Sequence, residues 1–199
     1  MGILEYLEKH LPTYKASQIV QYLAESKCVL KITKPRKTKR GDFRQSGNNL
    51  SISVNHDTNS FRFLFTLIHE VAHLKTYKEC GNRIRPHGNE WKRNFAELFY
   101  HFQMEDEFGK DEAMLLVIEN ELKAPKACSG VNLAVEKAFT PYDDISGTYL
   151  DELLLGEKFN FRGHRYQKLE SRRTRVMCLN LTNNRKYTIN KAALVEVCE

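Results

Sequence analysis

The chain has 199 residues, 41% of them hydrophobic and 28% charged, with a formal net charge of +6. That balance suits a water-soluble protein of one ordinary domain plus a small appendix, and no apolar run is long enough to cross a bilayer. Five cysteines scattered singly do not read as a disulfide framework, and a first helix broken by charges does not read as a signal peptide, so the expected compartment is the cytoplasm.

Residues 3–11 and about 15–26 read as two short helices separated by Leu11-Pro12-Thr13. Cys28 to Ile32 is an alternating strand candidate. A basic run follows, including Lys34, Arg36, Lys37, Lys39, Arg40 and Arg44 against the single acid Asp42. It reads equally as a solvated connection or as an edge that contacts phosphates, with Lys37, Lys39 and Arg40 the candidates and Phe43 able to stack or to pack. Leu50, Ile52 and Val54 alternate with Ser51, Ser53 and Asn55, the pattern of a half-buried strand.

The next element carries the chemistry. Phe61, Leu64, Phe65, Ile68 and Ala72 recur at helical spacing, with Thr58, Asn59 and Ser60 as N-cap candidates and Gly81 as a stop. His69 and His73, four apart, lie on one face of that helix and can offer two imidazole nitrogens to one ion. Glu70 stands beside them, where a carboxylate can take a proton from water in the His-Glu-x-x-His arrangement of zinc peptidases. The third ligand is read as His87, which opens a new helix marked by Trp91, Phe95, Leu98, Phe99 and Phe102, or as Glu97 within that helix. Thr76 and Glu79 occupy the places where a metzincin would have glycine and histidine, which excludes that class.

His-Glu-x-x-His followed by His87-Gly88-Asn89-Glu90-Trp91-Lys92 resembles the SprT-like zinc metallopeptidase family, which includes the Spartan proteases of DNA–protein crosslink repair. The similarity covers about residues 1 to 105. It implies that His69, His73 and His87 are zinc ligands and Glu70 the catalytic base, with one catalytic Zn2+. It also implies a peptide-hydrolysing enzyme acting on proteins associated with DNA, in which a strand at 50–55 or its neighbour pairs with extended substrate. That family commonly carries a C-terminal zinc ribbon with C-x-x-C pairs. This chain has none, so a second, structural ion is not expected.

Beyond the acidic turn Glu105-Asp106-Glu107, a helix from about Asp111 to Lys123 carries a core stripe. Residues 124–147 read as an irregular connector, and Tyr149 to Leu155 as one or two helical turns. The tail then alternates like three to five short strands. It is also where the charge lies. Residues 1–156 hold 21 Lys+Arg and 21 Asp+Glu, whereas 157–199 hold 10 and 4. Arg172, Arg173 and Arg175, with Tyr166 and Tyr187, mix cations and aromatics as a nucleic-acid surface does. His164, Cys178 and Cys198 are the residues there that could approach an ion.

The expected fold is therefore α+β. A zincin-like catalytic domain of helices and a small antiparallel sheet spans 1–125, a connector spans 126–156, and a small basic β module spans 157–199. That module resembles a zinc ribbon without its cysteine pairs. The expected partners are a protein substrate and DNA, with no membrane. The oxyanion donor is not legible; Arg85, Tyr100 and His101 are the candidates. The readings that compete with a peptidase are a nucleic-acid-binding protein with a purely structural zinc and a zinc hydrolase acting on something other than peptides.

Overall fold

A computed structural model describes residues 2–36, 39–56, 58–123, 132–144 and 146–198. The chain is of mixed α+β class, with seven α-helices and two small sheets among the described residues. It divides into two compact units, Met1–Ala127 and Cys128–Glu199. Among the described residues no helix is long and apolar enough to cross a membrane.

The first unit opens with helices α1 (Ile3–Leu7) and α2 (Thr13–Glu25) and strand β1 (Cys28–Thr33). The end of the basic run then becomes a strand, β2 (Gly41–Ser46), joined to β3 (Asn49–Asn55) by Gly47-Asn48. Gly47 takes φ 56 there, a conformation that costs a residue with Cβ and suits the twist of a two-residue hairpin. The sheet has the order β1-β3-β2, with β1 parallel and β2 antiparallel to β3. The expected all-antiparallel sheet is thus mixed, because β1 reaches β3 from the other side. Strand β3 is paired on both sides, and Ile52 and Val54 are buried at its centre.

Helix α3 (Ser60–Cys80) is 21 residues long. Asn59 caps it, its side chain accepting from the Arg62 amide at 2.9 Å, and Gly81 ends it at φ 69. The buried face is wider than the sequence stripe suggested. Phe63, Leu67, Val71 and Leu74 are as buried as Leu64, Ile68 and Ala72, because α3 packs on the sheet and on helix α4 (Asn89–His101) at once. Helices α5 (Met104–Phe108) and α6 (Glu112–Lys123) close the unit. Phe95, Phe99, Phe102 and Phe108 are fully buried between these helices, each contributing about 1.5–3 kcal/mol by leaving water. Lys15 is buried with them. Lys15 donates to Asp106 at 2.9 Å, to Glu107 at 3.1 Å and to the Gln103 carbonyl, which satisfies its ammonium.

The second unit begins earlier than expected. Helix α7 (Leu133–Phe139) forms inside the anticipated connector, capped by Asn132, which accepts from the Ala134 amide at 3.1 Å. Strands β4 (Thr148–Tyr149), β5 (Lys158–Phe161), β6 (His164–Ser171), β7 (Arg175–Asn180), β8 (Lys186–Asn190) and β9 (Leu194–Val197) form one antiparallel sheet of order β4-β9-β5-β6-β7-β8. Its core is Leu150, Leu153, Phe159, Tyr166, Val176, Cys178, Ile189 and Val195. Leu150 and Leu153, expected on helical turns, instead belong to a segment held by the buried Lys168. That ammonium donates to the carbonyls of Leu150, Asp151 and Leu153 at 2.9, 3.0 and 2.6 Å. Leu150 and Leu153, inside the anticipated connector of 126–156, thus supply part of this unit's core.

Candidate metal centre

Helix α3 places His69 and His73 one turn apart on one face, as the spacing requires. His87 comes from the turn before α4, where the Gly88 amide donates to the Arg85 carbonyl at 2.9 Å. His87 itself takes φ 57. That backbone conformation costs on the order of 1 kcal/mol for a residue with Cβ, and here it aims the ring back at α3. The Nε2 atoms of the three rings form a triangle: His69–His73 3.3 Å, His73–His87 3.0 Å and His69–His87 3.0 Å.

This triangle cannot be satisfied by protons. Each Nε2 either carries one hydrogen or offers one lone pair, so among three such atoms at least one pair sets donor against donor or acceptor against acceptor. A cation accepts all three lone pairs at once. Tetrahedral zinc with nitrogens at about 2.05 Å sets them about 3.3 Å apart, close to the observed edges. Burial holds the His69 ring well below its ordinary 6.5, with His73 and His87 adding to it. Burial and then His87 bring His73 down to about 4, and burial lowers His87. All three are thus neutral near pH 7, the form that ligates metal.

Trp91 forms one wall of the centre. Its ring lies 4.6 Å from that of His69, 5.3 Å from His73 and 4.6 Å from His87, and it stacks on Phe95 at 5.0 Å. A second clamp ties α4 to α3. Asn94 donates to Thr76 at 3.1 Å and to Glu79 at 2.8 Å, and Thr76 donates back to the Ala72 carbonyl. Glu97, the competing third ligand, points elsewhere, 3.3 Å from Lys75 with its side chain more than half exposed.

Glu70 is 7% exposed and lies beneath β2. Burial pushes its carboxyl up to about 8; the Phe43 amide, Arg36 and Lys39 favour the charged form, and Asp42 opposes it. The approach of β2 depends on Gly41. A Cβ there would fall 2.5 Å from Glu70 Oε1 and 2.6 Å from Thr66 Cγ2. Neither Gly41 nor the Phe43 amide was visible as a site feature in the sequence, because the dense charges around them hid a strand. Trp91 was visible as a helix marker and as part of the motif running from His87 to Lys92, but not as a wall of the site.

Two of the three expected oxyanion donors are not brought together with the histidines. Tyr100 and His101 lie at the far end of α4, roughly 16 Å along its axis from Asn89. There Tyr100 faces Glu119 and Glu105, and His101 packs on Phe102. Arg85 is exposed.

The expected phosphate contacts divide between the two units. Lys37 lies outside the described residues. Lys39 is paired with Asp42 at 2.7 Å, and Asp42 also holds Arg44. Arg40 is half-buried. Arg36 is a structural group, donating to Asn55 at 2.7 Å and to Ser53 at 2.9 Å. Phe43 packs against Tyr77 at 5.8 Å. In the second unit Arg172, Arg173 and Arg175 are exposed around the β6–β7 turn, with Arg172 Nε 3.5 Å from Glu170. The aromatic partners expected for them are not there. Tyr166 is core, and Tyr187 lies at the other end of the sheet, because successive hairpin turns alternate ends. Cys178 is buried in that core and burial pushes its thiol up to about 11, while His164 is exposed. The described residues contain one group of three potential ligands that converge, His69, His73 and His87.

No protein-family model, curated protein or solved structure matches this chain.

Proposed function

We propose that the chain is a zinc-dependent metallopeptidase of the SprT-like type, with the first unit as a zincin-like catalytic domain. The observation that carries this reading is the convergence of three imidazole nitrogens next to a buried carboxylate that follows the first of them in sequence. His69, His73 and His87 would hold the ion. Zinc, when bound, supplies Lewis acidity toward water and toward a scissile carbonyl. A cation bound at the histidines would favour the charged form of Glu70, which then accepts a proton on its carboxylate and returns it to the leaving amine. A purely structural site has no use for that group, and burying it at 7% exposure costs stability.

The sheet supports the substrate class. Strand β3 has partners on both sides and cannot take a third, whereas β2 is an edge, and it is the edge that lies over Glu70. An extended peptide can add to β2 through main-chain hydrogen bonds, with little demand on its sequence. That favours protein substrates over small zinc-hydrolase substrates, and proteins bound to DNA are the class the resemblance offers.

Glu70→Gln tests the mechanism. The variant should hold as much zinc as the wild type and lose cleavage of an unfolded protein by at least roughly 100-fold. Undiminished proteolysis would remove Glu70 from the mechanism. Wild-type protein that binds zinc yet cleaves nothing, with or without DNA, would return the site to a structural role.

A further inference from the structure

The first sheet has two edges, and only β2 lies over Glu70. The other edge is β1, which pairs with β3 alone. The His56 amide donates to the Thr33 carbonyl at 3.0 Å, so the main-chain groups of Thr33 point toward β3. Successive residues of a strand point theirs to alternate sides. Leu30 and Ile32 therefore each turn an N–H and a C=O toward the open edge. Among the described residues nothing pairs with them there.

That edge borders a groove of about 970 Å³ whose far wall is α1. The wall is anchored away from the strand. Tyr6 packs on the buried Phe63 ring at 5.5 Å, and His10 stacks on it at 4.4 Å, with Nδ1 2.9 Å from the Ser60 hydroxyl. Lys9, Lys31 and His56 line the groove and are exposed, and no carboxylate lines it. Neither lysine has a carboxylate partner among the described residues. Val29, 57% exposed on the same face of β1 as Lys31, leaves apolar surface to be covered.

We propose that the open edge of β1 takes an extended acidic segment of a partner protein as a fourth strand of the sheet. Its main chain would pair with Leu30 and Ile32, and its carboxylates would meet Lys9, Lys31 and His56. The edge decides the class of partner. It presents donors and acceptors together, and a peptide main chain answers both. A phosphate backbone or a free anion offers acceptors and would leave the two carbonyls unpaired. A second copy of the chain, paired edge to edge, would set lysine against lysine. The site is independent of the chemistry at His69 and lies on the opposite edge of the sheet from β2.

The test is fluorescence anisotropy of the full chain with a labelled peptide of about eight residues alternating valine and glutamate. It should bind at least about tenfold more tightly than a valine–lysine peptide of the same length. K9E/K31E should weaken binding about tenfold and flatten its salt dependence. K158E/K186E, the same change of net charge in the second unit, should have little effect. I32P removes an N–H that faces outward, a place where an edge strand accepts proline, and should cost about tenfold. Thermal midpoints establish that each variant is folded. Methylating alternate amides of the peptide probes the same hydrogen bonds on the unaltered chain and should abolish binding. Binding that survives both I32P and the methylation places the peptide elsewhere and would overturn the proposal. So would equal binding of the valine–lysine peptide, equal losses from the two reversed pairs, equal competition by inorganic phosphate or oligothymidine, or a dimer in sedimentation that I32P splits.

Discussion

Replacing Gly41 by alanine tests the closest approach in the candidate centre. The new methyl would sit 2.5 Å from Glu70 Oε1, 2.6 Å from Thr66 Cγ2 and 2.7 Å from Glu70 Cγ. Comfortable carbon contacts begin near 3.5 Å, so about 1 Å must be found. Strand β2 cannot supply it cheaply, because all six of its residues are in register with β3, from Gly41 opposite Val54 to Ser46 opposite Asn49. Thr66 is β-branched and stiff. Glu70 must then give way, and it is nearly enclosed. Overpacking of this kind costs about 1–3 kcal/mol, which urea unfolding would read as a lower midpoint at unchanged slope. A carboxylate displaced by about 1 Å should lower turnover of an unfolded protein substrate roughly 100-fold. Zinc content should stay at the wild-type level, since the atoms nearest the new methyl belong to Glu70 and Thr66 and not to the histidines. A variant with wild-type stability and wild-type turnover would refute the reasoning, because it would mean that β2 does not lie over Glu70.

Three further outcomes follow from the packing. Trp91 is the single tryptophan and lies within 5.3 Å of all three histidine rings, so cobalt binding should quench most of the intrinsic fluorescence at one equivalent; undiminished emission on a cobalt-loaded protein would place the metal elsewhere. Lys15→Met removes one of the two cations paired with the buried Glu107, Lys110 keeping the other, and should cost about 2 kcal/mol at neutral pH. Burial alone would lower the Lys15 pKa, but Asp106 and Glu107 outweigh it and raise it above its ordinary 10.5. Its contribution is therefore fully present below that value and lost as pH climbs through the raised one, so the stability difference between wild type and variant should shrink only in strong alkali. Lys168→Met orphans the carbonyls of Leu150, Asp151 and Leu153 and should cost about 3 kcal/mol. Amide exchange in residues 150–155 should speed up first, and unchanged protection there would show that Lys168 does not hold the segment.

Much of the candidate metal centre is legible in the sequence. The pair His69 and His73 needs only helical spacing, and the helix itself announced its limits through Asn59 and Gly81. Strand β3 and the five strands of the tail showed their period-two alternation. Helix α7 was missed although Asn132 caps it, because seven residues between Pro125 and Pro141 are too few to display a period. Strand β2 was missed because Lys39, Arg40, Asp42 and Arg44 look like solvated charge, while their pairing with each other and the ladder to β3 are long-range facts.

What the sequence determined by itself is whatever depends on neighbours a few residues apart: the helix of the histidines, the strands, the caps and the uneven charge. The tertiary structure alone decided that the ring of His87 meets the other two, that β2 is the edge lying over Glu70, and that Tyr187 stands at the opposite end of its sheet from Arg172, Arg173 and Arg175. Spacing along a chain is set by local geometry that every residue carries with it. Convergence in space is set by which buried faces find each other, and no short stretch of sequence contains that information.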